Sequence, residues 1–148
     1  MDAQPDDRRH LGDNTTFARA FEAAWADASP ARLVALLHPE VTLYQPTVPP
    51  LRGRNAALRD FTALFRWLPG TRATVDHSMT LGDTCYIAFR LQFPIGDGRL
   101  EVRAVDHFVL KDGKAYSRRA HFDPMPLVVA VAVRPWLWWG FLRYRFQL

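Results

Sequence analysis

The sequence predicts an α+β fold, with helices in its first half and a β-meander in its second half. Apolar residues recur every three or four positions within residues 14–68, which is the spacing of helices packed by one face. From residue 71 to residue 122 the pattern changes to alternation of period two, interrupted by glycine-containing turns. Helices followed by consecutive strands indicate a strongly curved antiparallel sheet wrapped around the helices, with a cone-shaped cavity between them.

Composition narrows the class of protein. The chain has 148 residues, of which 49% are hydrophobic and 23% charged, as expected for one globular domain. The net charge of +4 comes from dispersed arginines without a basic run interleaved with aromatic residues, so we expect no nucleic-acid partner. The single cysteine, Cys85, excludes an intrachain disulfide, and its strand context predicts a buried core residue. With no signal-peptide pattern at the N-terminus, we expect a cytoplasmic protein.

The first half contains three predicted helices. Residues 1–13 are polar and are expected to form a loose arm, after which Asn14, Thr15 or Thr16 can cap the first helix. Ser29 followed by Pro30 marks the start of a short second helix. Residues 41–44 form a short strand, residues 45–54 a proline-containing loop, and Asn55 begins the third helix. The domain is expected to span residues 14–124, followed by an apolar extension over residues 125–148.

The four strands of the meander place one set of side chains toward the helices. Alternation puts His77 beside Val75 and Met79 on the apolar face of the first of these strands. In the third strand Asp106 lies among apolar residues. In the fourth strand the alternation places Tyr116 and Arg118 on the face directed toward the helices.

Three segments carry a family resemblance: WADASPARLVALLHPEVTLYQP, PPLRGRNAALRDF and VDHFVLKDGKAYSRRAHFDP. They resemble the superfamily that includes nuclear transport factor 2, ketosteroid isomerases and SnoaL-type polyketide cyclases, over about residues 14–127. The resemblance implies a cone-shaped α+β barrel with a ligand cavity. Because this fold hosts both enzymes and binding modules, it does not by itself decide the function.

Comparison with the ketosteroid isomerases can be made residue by residue. Those enzymes place a tyrosine on the first helix, an aspartate base after the first strand and an aspartic acid in a late strand. Here the corresponding residues are Phe21, Gln45 and Asp106, so one of the three is retained. Phenylalanine donates no hydrogen bond and an amide does not abstract a carbon-bound proton, so we do not expect isomerisation by that mechanism.

The catalytic candidates are Asp106, His77 and Tyr44. A carboxyl in an apolar cavity has a raised pKa, and the resemblance implies that Asp106 is a neutral acid that donates a hydrogen bond. His77 can assist as a general base or acid at physiological pH, while Tyr44 can orient a ligand oxygen. The alternatives are a structural buried acid, a core histidine and a half-buried aromatic residue, and the sequence leaves them open.

The substrate-binding candidates are mostly large side chains expected around the cavity. They are Phe21, Trp25, Gln45, Phe89, Tyr116, Arg118 and Phe122. Arg118 can bind an anionic ligand group, or it can pair with Asp106 across the hairpin and lower the pKa of that acid. His107 and His121 have no third ligand at suitable spacing, so we expect no metal, and no cofactor is implied.

The extension MPLVVAVAVRPWLWWGFLRYRFQL is too short and too interrupted to span a bilayer. We expect it to pack on the body or on a second subunit of a homodimer, with contact to a membrane surface as the less favoured alternative.

The leading functional hypothesis is a cofactor-free enzyme, an isomerase, cyclase, lyase or hydrolase. It would act on a hydrophobic polyketide- or terpenoid-like compound by acid–base chemistry. The alternative is a non-catalytic protein that binds a hydrophobic ligand.

Overall fold

The computed structural model describes the backbone of residues 7–146 and the side chains of residues 16–146. Five helices and six strands follow one another along the chain. They are α1 (Asp7–Ala26), α2 (Pro30–Ala35), β1 (Leu37–Gln45), β2 (Val48–Arg52), α3 (Arg54–Trp67), β3 (Arg72–Leu81), β4 (Thr84–Ile95), β5 (Gly98–Lys111), β6 (Lys114–Phe122), α4 (Met125–Ala132) and α5 (Pro135–Phe146).

The strands form one six-stranded mixed sheet in the order β2-β1-β6-β5-β4-β3. β3 to β6 form the predicted antiparallel meander, and β1 joins it by pairing parallel to β6. The sheet curves around the N-terminal helices, as the α+β prediction required. This arrangement confirms the fold class, with a parallel pair where an all-antiparallel sheet was expected.

The main core lies between the concave face of the sheet and helices α1, α2 and α3. Phe17, Phe21 and Trp25 project from α1 and meet Phe89 and Phe108 of the sheet. A second core cluster, built around Leu68, Phe93, Ile95 and Val102, lies beneath the C-terminal helices. Burial of these side chains is the dominant favourable contribution to folding.

Several predicted boundaries were wrong. α1 begins at Asp7 rather than near Asn14, so residues 7–13 belong to a helix, and the rest of the predicted arm lies outside the described residues. The predicted loop 45–54 contains strand β2, which accommodates two prolines because it is an edge strand. β1 is twice as long as expected, starting at Leu37. The extension forms two helices joined at Val133 and Arg134.

Candidate ligand-binding site

The cavity that the sequence predicted between α1 and the sheet is almost filled by aromatic side chains. Phe21 makes edge-to-face contacts with Phe89 and Phe108, at centroid distances of 5.5 and 5.6 Å. Phe17 packs on Phe108 at 5.0 Å, and Trp25 packs beside Phe21. What remains, here called the inner cavity, has a volume of about 20 Å³. That is space for about one water molecule rather than for an organic ligand.

Asp106 is the predicted acid, and it is fully buried on the concave face of β5. Arg118 Nε donates to its Oδ2 at 2.5 Å, whereas Oδ1 has no hydrogen-bond partner within the described residues. Burial raises the pKa of Asp106 above its ordinary value, and the nearby Arg118 guanidinium opposes that rise. Of the two roles that the sequence left open for Arg118, pairing with Asp106 is the one observed.

His77 lies on the convex surface of the sheet and is exposed. The pairing of β3 with β4 shifts between Val75 and His77, so one extra residue is inserted there. A β-bulge of this kind reverses the alternation beyond it and turns the following side chains to the other face. The prediction that His77 lines the cavity was therefore wrong. It borders a shallow groove together with Arg90, Glu101 and His121.

Two further candidates also lie on the convex face. Leu43 points inward, so its neighbour Tyr44 points outward, where the Arg119 guanidinium lies 4.5 Å from its ring centroid. Tyr116 occupies a register shift between β5 and β6, and it contacts Lys111 and His38 on the surface. Neither side chain reaches the interior, which corrects both expectations.

A larger apolar chamber lies beneath the C-terminal helices. The C-terminal chamber has a volume of about 450 Å³, within the usual range for small-molecule sites. Its walls come from the β1–β2 turn, the end of β6 and the inner faces of α4 and α5. The residues lining it include Pro46, Val48, Trp67, Phe122, Leu127, Val128, Val131, Trp138, Phe141 and Leu142. Of the predicted binding residues, Gln45 and Phe122 lie in this chamber, whereas Phe21, Trp25 and Arg118 border the inner cavity and Phe89 is core.

A buried polar cluster meets one wall of the C-terminal chamber. The Asp60 carboxyl accepts a hydrogen bond from Gln45 Nε2 at 3.1 Å and another from the Tyr144 hydroxyl. Burial raises the pKa of Asp60, while Gln45, Arg118 and Tyr144 each act to lower it. Burial, together with the Asp60 charge, also raises the pKa of Tyr144, so its hydroxyl remains a donor at neutral pH. Gln45 and Tyr144 both line the chamber and connect it with Asp60.

Trp67 lines the chamber and packs against α5. Its indole Nε1 is buried and has no hydrogen-bond partner among the side chains and backbone that the structure describes. The ring stacks on Tyr144 with centroids 5.3 Å apart. Gly140 permits this close approach, since a Cβ on that residue would come within 2.4 Å of the Trp67 ring. An unpaired buried N–H of this kind is costly.

Sequence reasoning overlooked Asp60 and Tyr144. Asp60 was detectable, because with Ala57 and Phe61 it occupies the buried stripe of α3, where a carboxylate is unusual without a partner. Tyr144 repeats the spacing of Leu137 and Phe141 on the inner face of α5. The sequence could not show that α5 folds back on α3, because that contact joins distant segments.

Two absences hold for the described part of the chain. No group of three or more His, Cys, Asp or Glu side chains is arranged to hold a metal ion. No helix there is both long and apolar enough to cross a membrane.

Helices packed into the concave face of a curved mixed sheet define the cone-shaped class of NTF2-like proteins. Within that class, residues 18–118 match the model of the SnoaL-like domain, and the chain belongs to that family. No significant match was found among curated protein sequences.

Solved structures show the same fold at low sequence identity. A protein named as a SnoaL-like polyketide cyclase from Jannaschia sp. CCS1 is 19% identical, with a TM-score of 0.68, and the match covers 89% of this chain and 97% of that one. An NTF2-like protein of unknown function from Burkholderia pseudomallei is 16% identical, with a TM-score of 0.70 and coverage of 80% and 96%. TerC, co-crystallised with polyporic acid, is 20% identical, with a TM-score of 0.69 and coverage of 80% and 97%.

Proposed function

We propose that the chain binds a hydrophobic small molecule in the C-terminal chamber. The observation that carries the proposal is the pairing of an apolar space of about 450 Å³ with two hydrogen-bonding side chains at its wall, Gln45 and Tyr144, both bonded to the buried Asp60 carboxyl. Ligand sites commonly combine an apolar lining with a few placed hydrogen-bonding groups that fix orientation. A ring system or acyl chain carrying an oxygen at one end suits this arrangement, as does a polyketide- or terpenoid-like compound.

The fold comparison supports the same class of ligand. TerC, which shares the fold, was crystallised with polyporic acid, an organic acid. In this chain the inner cavity holds about one water, so the ligand-sized space lies beneath α4 and α5 instead.

Binding can be tested with the solvatochromic dye Nile red, using Val128→Trp and Val129→Trp as a matched pair. The two valines are adjacent on α4 and both exposed, but only Val128 lines the chamber. We expect Val128→Trp to weaken dye binding at least tenfold and Val129→Trp to leave it unchanged. Equal affinities for both variants and the unmodified chain would show that the dye, and by inference the ligand, binds elsewhere.

Acid–base conversion of the bound compound is a second candidate function, favoured by the buried Asp60 carboxyl. Its pKa is raised by burial, as is common for groups that transfer protons, and the Tyr144 hydroxyl connects it with the chamber. Cyclisation, isomerisation, dehydration or epoxide opening would each need such a group. Asp106, the acid that the sequence suggested, keeps that role as a prediction, although Arg118 and the core enclose it.

Native mass spectrometry of protein purified from its source would identify the retained compound and allow the two acids to be compared. If the protein is an enzyme working through Asp60, Asp60→Asn abolishes turnover of that compound while Nile red binding persists. Loss of turnover in Asp106→Asn, with Asp60→Asn fully active, would instead support the acid suggested by the sequence.

We also propose that two copies associate through the convex face of the sheet in the cytoplasm. Tyr86 and Val105 are both exposed on the adjacent strands β4 and β5, and Tyr86 stacks on His107 at a centroid distance of 4.7 Å. Size-exclusion chromatography with light scattering should give a dimer, and Val105→Glu should give a monomer. A monomeric unmodified chain would exclude the dimer.

A further inference from the structure

The outer faces of α4 and α5 form an exposed apolar surface that the packing of the domain does not use. Here this surface is called the tryptophan face. Within the described chain its members include Val129, Val133, Trp136, Trp139 and Phe146. Trp136 is 69% exposed and Trp139 67% exposed, values that are unusual for the largest apolar side chain. Contiguous exposed apolar surface of this kind marks an interaction site.

The orientation of α5 explains why these residues remain exposed. Leu137, Gly140, Phe141 and Tyr144 form the stripe that faces the body, at helical spacing. Trp136, Trp139 and Phe146 are exposed outside this stripe together with Arg143, so the solvent-facing side of the helix carries three large apolar rings. A helix that is apolar all round is normally covered on both sides.

Charge at this surface has a single sign. Arg143 and Arg145 lie on α5, and Arg59 and Arg66 border the adjoining groove between α3 and α5 together with Trp139. Among the side chains that the structure describes, no Asp or Glu lines this groove or the C-terminal chamber. The sequence has no carboxylate side chain after Asp123. The partner that suits this surface is therefore apolar and negatively charged.

We propose that the tryptophan face docks on the surface of a membrane that contains anionic phospholipids. Tryptophan favours the boundary between headgroups and acyl chains, and arginine attracts the anionic headgroups. Helices α4 and α5 would lie in the plane of the interface, with their outer side chains inserted. A second copy of the chain suits this surface less well, because a two-fold contact would bring the same arginines against one another.

The arrangement connects the membrane with the C-terminal chamber. Val128, Trp138 and Leu142 line the chamber and are also exposed on the same side of the molecule. A hydrophobic compound dissolved in the bilayer would meet this rim directly. The docking proposal does not depend on the proposed function, because the vesicles alone are the ligand in its test.

Docking can be tested by flotation of the full chain with two kinds of vesicle. One contains phosphatidylcholine alone, and the other contains phosphatidylcholine with about 30 mol% of the anionic lipid phosphatidylglycerol. We expect flotation with the mixed vesicles, little with phosphatidylcholine alone, and a loss at high salt. Trp136→Ala/Trp139→Ala should abolish flotation, whereas Met79→Ala/Leu81→Ala, which removes exposed apolar surface on β3, should not.

Two matched arginine double variants test the electrostatic contribution to membrane binding separately. Arg143→Gln/Arg145→Gln should weaken binding to the mixed vesicles by about five-fold per arginine, and Arg72→Gln/Arg103→Gln on the sheet should not. Failure of the unmodified chain to float with either vesicle would overturn the proposal. So would a dimer in solution that the tryptophan double variant converts to monomer, since the surface would then be occupied by a second copy. Circular dichroism melting confirms that each variant is folded.

Discussion

The inner cavity and the C-terminal chamber each lie beside a buried carboxyl, but they differ in what surrounds it. Asp106 lies in the main core, where Arg118 pairs with it and the rings of Phe21 and Phe108 leave about 20 Å³ of space. Asp60 lies next to about 450 Å³ of apolar space and is hydrogen-bonded by Gln45 and Tyr144, which line it.

The difference between these two regions indicates how the same fold can have its ligand-sized space in different positions. Phenylalanine in place of the tyrosine on α1 supplies packing instead of a hydrogen bond, and the space beneath α1 closes. The added helices α4 and α5 enclose a new space at the other side of α3. The proposed function assigns stability mainly to the inner region and ligand recognition to the C-terminal region.

The largest effect that we expect is from Phe21→Ala, which removes the central ring of the inner region. Truncation of a buried phenylalanine costs about 3–5 kcal/mol, since it loses burial and leaves a void. Urea denaturation should show that loss in the free energy of unfolding. Phe141→Ala, which lies at the chamber, is the matched control. It is only partly buried, so a smaller loss of stability with weaker Nile red binding is expected. Equal losses would contradict the division between the two regions.

Arg118→Leu should reduce the free energy of unfolding by nearly as much as Phe21→Ala. It leaves the Asp106 carboxyl in the core without its partner, and breaking a buried ion pair in this way costs about 3–5 kcal/mol. Because the protonated Asp106 carboxyl needs no counter-charge, the loss of stability should be smaller at acidic pH than at neutral pH. Arg119→Leu, on the convex face beside Tyr44, is the control and should cost about 1 kcal/mol or less. A loss that is the same at every pH would show that Asp106 is not the group left unpaired.

The sequence was sufficient for the fold class because period-two alternation and turn glycines are local signals. It also located Asp106 and the inward residues around it correctly. It misplaced His77 and Tyr116, since each is next to a register shift that reverses the alternation, and a bulge has no reliable signature in the pattern. The Asp60 cluster was out of reach for another reason. It joins β1, α3 and α5, and only the folded chain brings Gln45, Asp60 and Tyr144 together.

Gly140→Ala should have an intermediate effect confined to the C-terminal region. Alanine favours a helix by about 1 kcal/mol over glycine, but its Cβ would meet the Trp67 ring at 2.4 Å. We expect the clash to dominate and to cost about 1–3 kcal/mol, with α5 displaced from α3. Near-ultraviolet circular dichroism of the Trp67–Tyr144 stack reports that displacement. Gly98→Ala, where an added Cβ meets nothing within 4 Å, is the matched control. A more stable Gly140→Ala protein would show that Trp67 rearranges without loss.

The smallest expected effect is the pH dependence that Asp60 contributes. Its pKa is raised in the folded protein, so the native state binds the proton more tightly than the unfolded chain does. The stability that this proton contributes is complete below the unfolded pKa of about 3.9 and is lost as the pH rises through the folded pKa. Asp60→Asn keeps the shape without the charge. Relative to the unmodified protein, Asp60→Asn should therefore gain stability over the range in which the pH rises from about 4 through the folded pKa, measured as the difference in Tm. Asp97→Asn, at the exposed β4–β5 turn, provides the charge control, and a difference that stays constant across this range would exclude Asp60 as the titrating group.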